Sequence, residues 1–199
     1  MTNISFVSTF HKPVLDLYGQ RFVDSFSKNI DKNIKLYLYA EDCTPVVNDD
    51  RIVLLDQKKE LPKLVAFKER WKNDPKANGI PPADIKARRP KDWHKEFKWH
   101  AIRFANKVYA VFDAAQRCDT DWLIWLDADT FVHSPATYNE LLRFTPDRAW
   151  MSYLGRGKKW PECGFYGINL KTDAGQEFLK RFERVYEDAE NGIFKMEEW

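Results

Sequence analysis

The sequence predicts an α/β fold, and three observations carry the expectation. Between Ile4 and Asp56 the chain alternates as strand, helix, strand, strand, with apolar strands and short links, as a nucleotide-binding sheet begins. Further on, the run Trp122 to Leu126 is wholly apolar and too short for a helix, so it reads as a buried strand. It runs out into two carboxylates, Asp127 and Asp129. Just before it, Asp92 to Arg117 repeats apolar residues at spacings of four and three, the pattern of one long amphipathic helix.

Each element has local grounds. Ile4 to Phe10 is the opening strand. His11-Lys12-Pro13 follows it where a dinucleotide fold would carry G-x-G-x-x-G, which argues against NAD or FAD, and no G-x-x-x-x-G-K-[ST] occurs anywhere. Tyr18 to Asn29 is a helix with Tyr18, Phe22, Val23 and Phe26 on one face. Ile34 to Tyr39 alternates as the second strand, and Arg51 to Asp56 is a short third one. Asn-Asp-Pro, Asn-Gly, Pro-Pro and Arg-Arg-Pro mark a basic, Pro-rich insertion at about 72–92. In the long helix the stripe is Trp93, Phe97, Ala101, Phe104, Val108, Phe112 and Ala115, and Lys98, Arg103 and Lys107 lie off it. Ser134-Pro135 opens a short helix to about Phe144, with proline in its first turn. Arg148 to Leu154 is a strand, Gly155 to Lys159 a basic loop, and Pro161 to Leu170 another strand, with Gly164 and Gly167 where backbone or ligand comes close. Thr172 or Asp173 caps a final amphipathic helix bearing Phe178, Leu179, Phe182, Val185 and Tyr186.

Composition narrows the function. A chain of 199 residues, 44% hydrophobic and 31% charged, is expected to form one globular domain, 1–199, with a sizeable core. Aromatic residues make up 15%, with eight Trp, which core packing explains more simply than ring-stacking surfaces. No apolar run is long enough to span a membrane and no signal segment opens the chain. Cys43, Cys118 and Cys163 are far apart, odd in number and without a CxxC, so they read as reduced thiols of a cytoplasmic protein. The net charge of +2 divides unevenly: Lys58 to Lys107 carries 15 basic and 6 acidic residues, a surplus of +9 against −7 elsewhere. Such a field suits an anionic small molecule, and since no nucleic-acid motif accompanies it, no nucleic-acid partner is expected.

Asp127 and Asp129 are the chemical centre of the sequence. In extended chain, side chains two apart share a face, so both carboxylates are expected to converge where an α/β sheet binds ligands, at a strand's carboxyl end. Two carboxylates at one point repel unless a cation lies between them. Oxygen ligands of this kind suit Mg²⁺ or Mn²⁺, which keep waters and accept phosphate oxygens as well. The plainer alternative makes them polar residues of a strand-end turn.

An apolar strand ending in Asp127-Ala128-Asp129, a basic helix just before it and a later Gly164-Phe-Tyr-Gly-Ile-Asn169 strand together resemble the nucleotide-sugar glycosyltransferases of the GT-A type. The resemblance implies a GT-A-like domain, a mixed central sheet flanked by helices. It also implies a metal-dependent enzyme that moves a sugar from a nucleoside-diphosphate sugar to an acceptor, whether glycan, lipid or protein. By it, Asp127 reaches the ribose or a metal-bound water and Asp129 binds the metal bridging the diphosphate. Phe10 and Asp42 line the base and ribose pocket, and Lys98, Arg103 or Lys107 faces the donor phosphates or sugar. Glu162 to Phe165, Gly164 included, lies beside the transferred sugar, and Glu162 is the candidate base if the reaction inverts. The family often adds a late histidine as a metal ligand. None follows His133 here, which a C-terminal segment beyond Trp199 would explain.

Two rivals share the same residues. Leu126-Asp-Ala-Asp-Thr130 also fits the haloacid-dehalogenase-like phosphatases, in which the first Asp is a nucleophile and the second an acid or base. Those enzymes place this strand early and need a later acidic pair, whereas Glu140, Asp147, Glu162 and Asp173 are singly spaced. A non-catalytic sugar-binding module keeps the fold and loses turnover.

Overall fold

The computed structural model of the chain describes residues 2–75, 77–80 and 100–196. Six strands make one sheet: β1 Ile4–His11, β2 Lys35–Glu41, β3 Ile52–Asp56, β4 Trp122–Leu126, β5 Met151–Arg156 and β6 Lys159–Asn169. Their order is β3-β2-β1-β4-β6-β5. The first four run parallel, and β6 and β5 join antiparallel. This is the mixed central sheet flanked by helices that the resemblance implied.

Among the described residues the α-helices are α1 Lys12–Val14, α2 Gln20–Asn29, α3 Gln57–Glu60, α4 Pro62–Trp71, α5 Ala101–Arg117, α6 Tyr138–Leu142 and α7 Asp173–Glu187. A π-helical turn, Leu15–Gly19, joins α1 to α2, so the helix expected from Tyr18 already begins at Lys12, with Pro13 in its first turn. The strand expected at 148–154 is displaced to Met151–Arg156, and β6 starts early, at Lys159. The expected basic loop therefore shrinks to a tight hairpin turn, where Gly157 takes the left-handed φ of 64° that such turns need. The 92–99 part of the expected long helix, with Trp93 and Phe97, lies outside the described residues, as does most of the 72–92 insertion. Residues 197–199 lie outside them as well. No helix among the described residues is long and apolar enough to cross a membrane.

Alternation along the strands builds a core on each face. In β4, Trp122, Ile124 and Leu126 point to one side with Leu36, Leu38 and the α2 residues Phe22, Val23 and Phe26. Leu123 and Trp125 point to the other with Tyr37 and Tyr39, against Leu64 and Phe67 of α4, Val108 and Phe112 of α5 and Tyr186 of α7. A strand buried on both faces reads as an unbroken apolar run, which is why Trp122 to Leu126 shows no polar alternation. The aromatic surplus lies largely in this packing, in pairs such as Phe67–Tyr186 at 5.6 Å and Phe112–Phe182 at 5.6 Å between ring centroids.

A buried arginine ties α2 to the sheet. The Arg51 guanidinium donates to the carbonyls of Ser27, Ile30 and Asp31 at 3.0, 3.1 and 2.7 Å, where the helix leaves acceptors without intrahelical partners. It closes on the Asp49 carboxylate at 2.6 Å. Burial pushes the Asp49 carboxyl up, but the Arg51 hydrogen bonds outweigh it and hold the group below its usual value.

Candidate functional site

β1 is where the strand order turns: β2 and β3 lie to one side of it and β4 to the other. Ligands of open α/β sheets bind beyond the carboxyl ends of strands at such a switch. Here Phe10 and His11 of β1, Glu41 of β2 and the residues after β4 reach the same edge and line a cleft of about 740 Å³. The α5 side chains Arg103 and Lys107 form part of its wall.

Asp127 continues the β4 alternation onto the α5 side of the sheet. Its backbone N–H donates to the Gly164 carbonyl at 2.9 Å, fastening the end of β4 to β6. Its Oδ1 accepts from Trp125 Nε1 at 2.6 Å and pairs with Lys107 Nζ at 3.0 Å. Lys107 also donates to the Cys163 carbonyl at 2.6 Å and sits over the Trp125 ring, 4.6 Å from its centroid. Lys107, one of three basic residues expected to face donor phosphate or sugar, is thus held on the Asp127 carboxylate at the cleft wall. Tyr166 lies beneath the same ammonium, its phenol pushed far up by burial and by the Asp127 charge.

Asp129 does not share an extended face with Asp127, which corrects the geometry expected from the sequence. The chain turns, the Thr130 N–H closing on the Asp127 carbonyl at 3.0 Å, with Ala128 buried inside and Asp129 exposed. Both carboxylates still line the cleft. Among the described residues no group of three His, Cys, Asp or Glu side chains is placed to hold a metal. What the turn offers is Asp127 Oδ2 and the Asp129 carboxylate. This donor set fits Mg²⁺ or Mn²⁺, which characteristically take one or two carboxylates and complete their shell with water and phosphate oxygens.

Gly164 is where β6 touches this centre. A Cβ added there would lie 3.1 Å from Asp127 Oδ2 and 3.2 Å from Glu162 Oε1, so the two carboxylates flank one small gap. Glu162 accepts from the Gly164 N–H at 3.0 Å and pairs with Arg156. Phe10 is buried and lines the cleft. Asp42 does not line it: a left-handed φ of 53° turns the chain, and its carboxylate pairs with Lys58 at 2.7 Å. Arg103 is exposed on the cleft wall, and Lys98 lies outside the described residues.

Several cleft groups went unread in the sequence. Glu41, one residue before Asp42, pairs with Lys68 of α4 at 2.5 Å, both largely shielded from solvent. Gln57 is buried and donates to Thr9 Oγ1 at 2.7 Å, and Thr9 donates to the Tyr39 carbonyl at 2.8 Å. His100 lines the cleft beside the Gly79 backbone. Burial first, and then the Arg103 charge, hold its imidazole below the usual value. The sequence did carry a signal for α4, since Pro62 precedes Leu64, Phe67 and Trp71 at helical spacing.

No family model matches the chain, and no curated protein matches it. Among solved structures it is similar to the glycosyltransferase GlyE of Streptococcus pneumoniae TIGR4. The apo form has a TM-score of 0.48 and a second GlyE structure 0.49; both are 13% identical, covering 99% of this chain and 41% of that one. It is also similar to the apo structure of WbbM, a bifunctional glycosyltransferase, with a TM-score of 0.42 and 12% identity over 94% of this chain and 34% of that one. The chain thus spans about two fifths of the length of GlyE and a third of that of WbbM.

Proposed function

We propose that the chain carries the donor site of a metal-dependent glycosyltransferase, moving a sugar from a nucleoside diphosphate to an acceptor that is a glycan, a lipid or a protein. The observation that supports this most is the turn after β4. It offers Asp127 and Asp129 to a cleft at the sheet's switch point, with Lys107 and Arg103 on the facing helix.

Charge builds on the diphosphate as the glycosidic bond breaks. A divalent cation held by Asp127 and Asp129 supplies neutralisation of that charge when bound. Lys107 keeps Asp127 oriented through its hold on Oδ1, and Arg103 presents a planar fork suited to two phosphate oxygens. Phe10 walls the end of β1 and excludes water from the nucleoside.

Glu162 is the proposed acceptor base. Glu162 is paired with Arg156, so taking a proton requires that this ion pair loosen. Substituting Glu162→Gln is expected to lower kcat by about a hundredfold or more with KM for the donor nearly unchanged, because general-base help is worth roughly 10²–10⁴.

Turnover of nucleotide sugars with Mn²⁺, screened by release of the nucleoside diphosphate, tests the function. Release that depends on Asp129 is expected. Hydrolysis of p-nitrophenyl phosphate, or trapping of Asp127 by beryllofluoride, would reassign the same residues to phosphatase chemistry.

A further inference from the structure

The hairpin formed by β5 and β6 overhangs the sheet. Register pairs Leu126, the last residue of β4, with Phe165, so the Lys159 to Gly164 part of β6 runs on past the carboxyl edge beside the cleft mouth. At about 3.3 Å per residue this overhang is on the order of 20 Å long. Its tip stands in open space: a Cβ built on Gly155 or Gly157 meets no atom within 4 Å. Lys158 and Lys159 are exposed and have no acidic partner among the described residues.

The same arm exposes apolar surface. Tyr153 is 55% and Leu154 40% accessible, although β5 is the sheet's edge strand, where exposed apolar side chains invite association. The two flank a break in the β5–β6 register, so a large aromatic and a large apolar side chain stand exposed side by side just behind the cationic turn. Tyrosine at headgroup depth with lysines reaching phosphate is the chemistry of an interfacial element. A nucleic acid would make use of the lysines and leave Leu154 without a role.

We propose that this hairpin docks on anionic bilayer surfaces, with Lys158 and Lys159 meeting lipid phosphates and Tyr153 and Leu154 among the headgroups. The overhang lies at the cleft end of the sheet, so docking would bring the cleft mouth to the membrane. If the transferase assignment holds, a lipid-borne acceptor follows from it, but the docking itself does not depend on that assignment.

Co-sedimentation of the full chain with phosphatidylcholine vesicles, with and without phosphatidylglycerol, tests the proposal. Binding is expected only with phosphatidylglycerol, weakening as salt rises. K158Q/K159Q should reduce partitioning about fivefold per charge, so roughly 25-fold together, and Y153S/L154S should reduce it while leaving the salt dependence intact. Nucleoside-diphosphate binding by both variants should match wild type, which separates loss of docking from loss of fold or of the donor site. Equal pelleting with and without phosphatidylglycerol, variants that bind as wild type does, or retention of duplex DNA in place of vesicles would overturn it.

Discussion

Lys107 shows how one side chain couples the site to the fold. It holds Asp127 Oδ1, the Cys163 carbonyl and the Trp125 face at once, joining α5, β4 and β6. Replacing it by alanine removes a charge-assisted bond from a half-exposed carboxylate, so nucleotide affinity should fall about tenfold. Stability should move less, by about 1 kcal/mol, since Asp127 keeps access to solvent although Lys107 is largely covered. Calorimetric titration beside a urea melt separates the two effects. Gly164 gives a second prediction: in Gly164→Ala the new methyl must displace Asp127 or Glu162 by a few tenths of an ångström. Activity should drop by roughly tenfold or more while the melting temperature shifts little, because misplacement of reacting groups costs rate before it costs stability. The sequence pointed to Asp127, Lys107 and Gly164 but not to their mutual contacts, which bring together residues far apart in the chain. It placed the acidic cleft residue at Asp42 instead of Glu41, because the left-handed turn that removes Asp42 has no glycine or asparagine to announce it.

At the level of elements, local pattern was readable wherever one force dominated. The wholly apolar β4 and the amphipathic α2 and α7 formed as expected, since burial alone decides them. The β5–β6 hairpin shifted because its register is set by pairing and a bulge between Tyr153 and Leu154, which composition does not reveal. Arg51, expected as the first residue of the third strand, lies just ahead of β3. Arg51→Ala should destabilise the protein by about 3–5 kcal/mol, since it strands the Asp49 charge and frees the end of α2. The same pair sets an acid limit. Asp49 titrates lower in the folded chain than unfolded, so its contribution is full above the unfolded carboxylate value of about 3.9 and disappears as pH falls through the lower folded value. Urea midpoints should therefore be level from neutral pH to about pH 5 and fall below pH 4, with a shallower fall in Asp49→Asn.

Taken whole, the molecule places its chemistry by topology. Parallel strands on either side of β1 end at one edge, and the turn after β4 sets two carboxylates there in front of a basic helix. The +9 surplus of residues 58–107 partly reaches this cleft through Lys68, Arg103 and Lys107, so a charge asymmetry visible in the sequence has a structural destination. The two-carboxylate motif was legible as well, though its geometry is a turn rather than an extended pair, because the chain must leave the sheet directly after Leu126. The central claim is that this turn holds a nucleoside diphosphate through a divalent cation. Calorimetric titration of UDP and GDP, with and without Mn²⁺, into wild type and Asp129→Asn tests it most directly. Binding that requires Mn²⁺ and weakens at least about tenfold in the variant is the expected result, one anionic ligand having become neutral. Binding of equal strength with and without Mn²⁺, or the same metal dependence in both proteins, would contradict it.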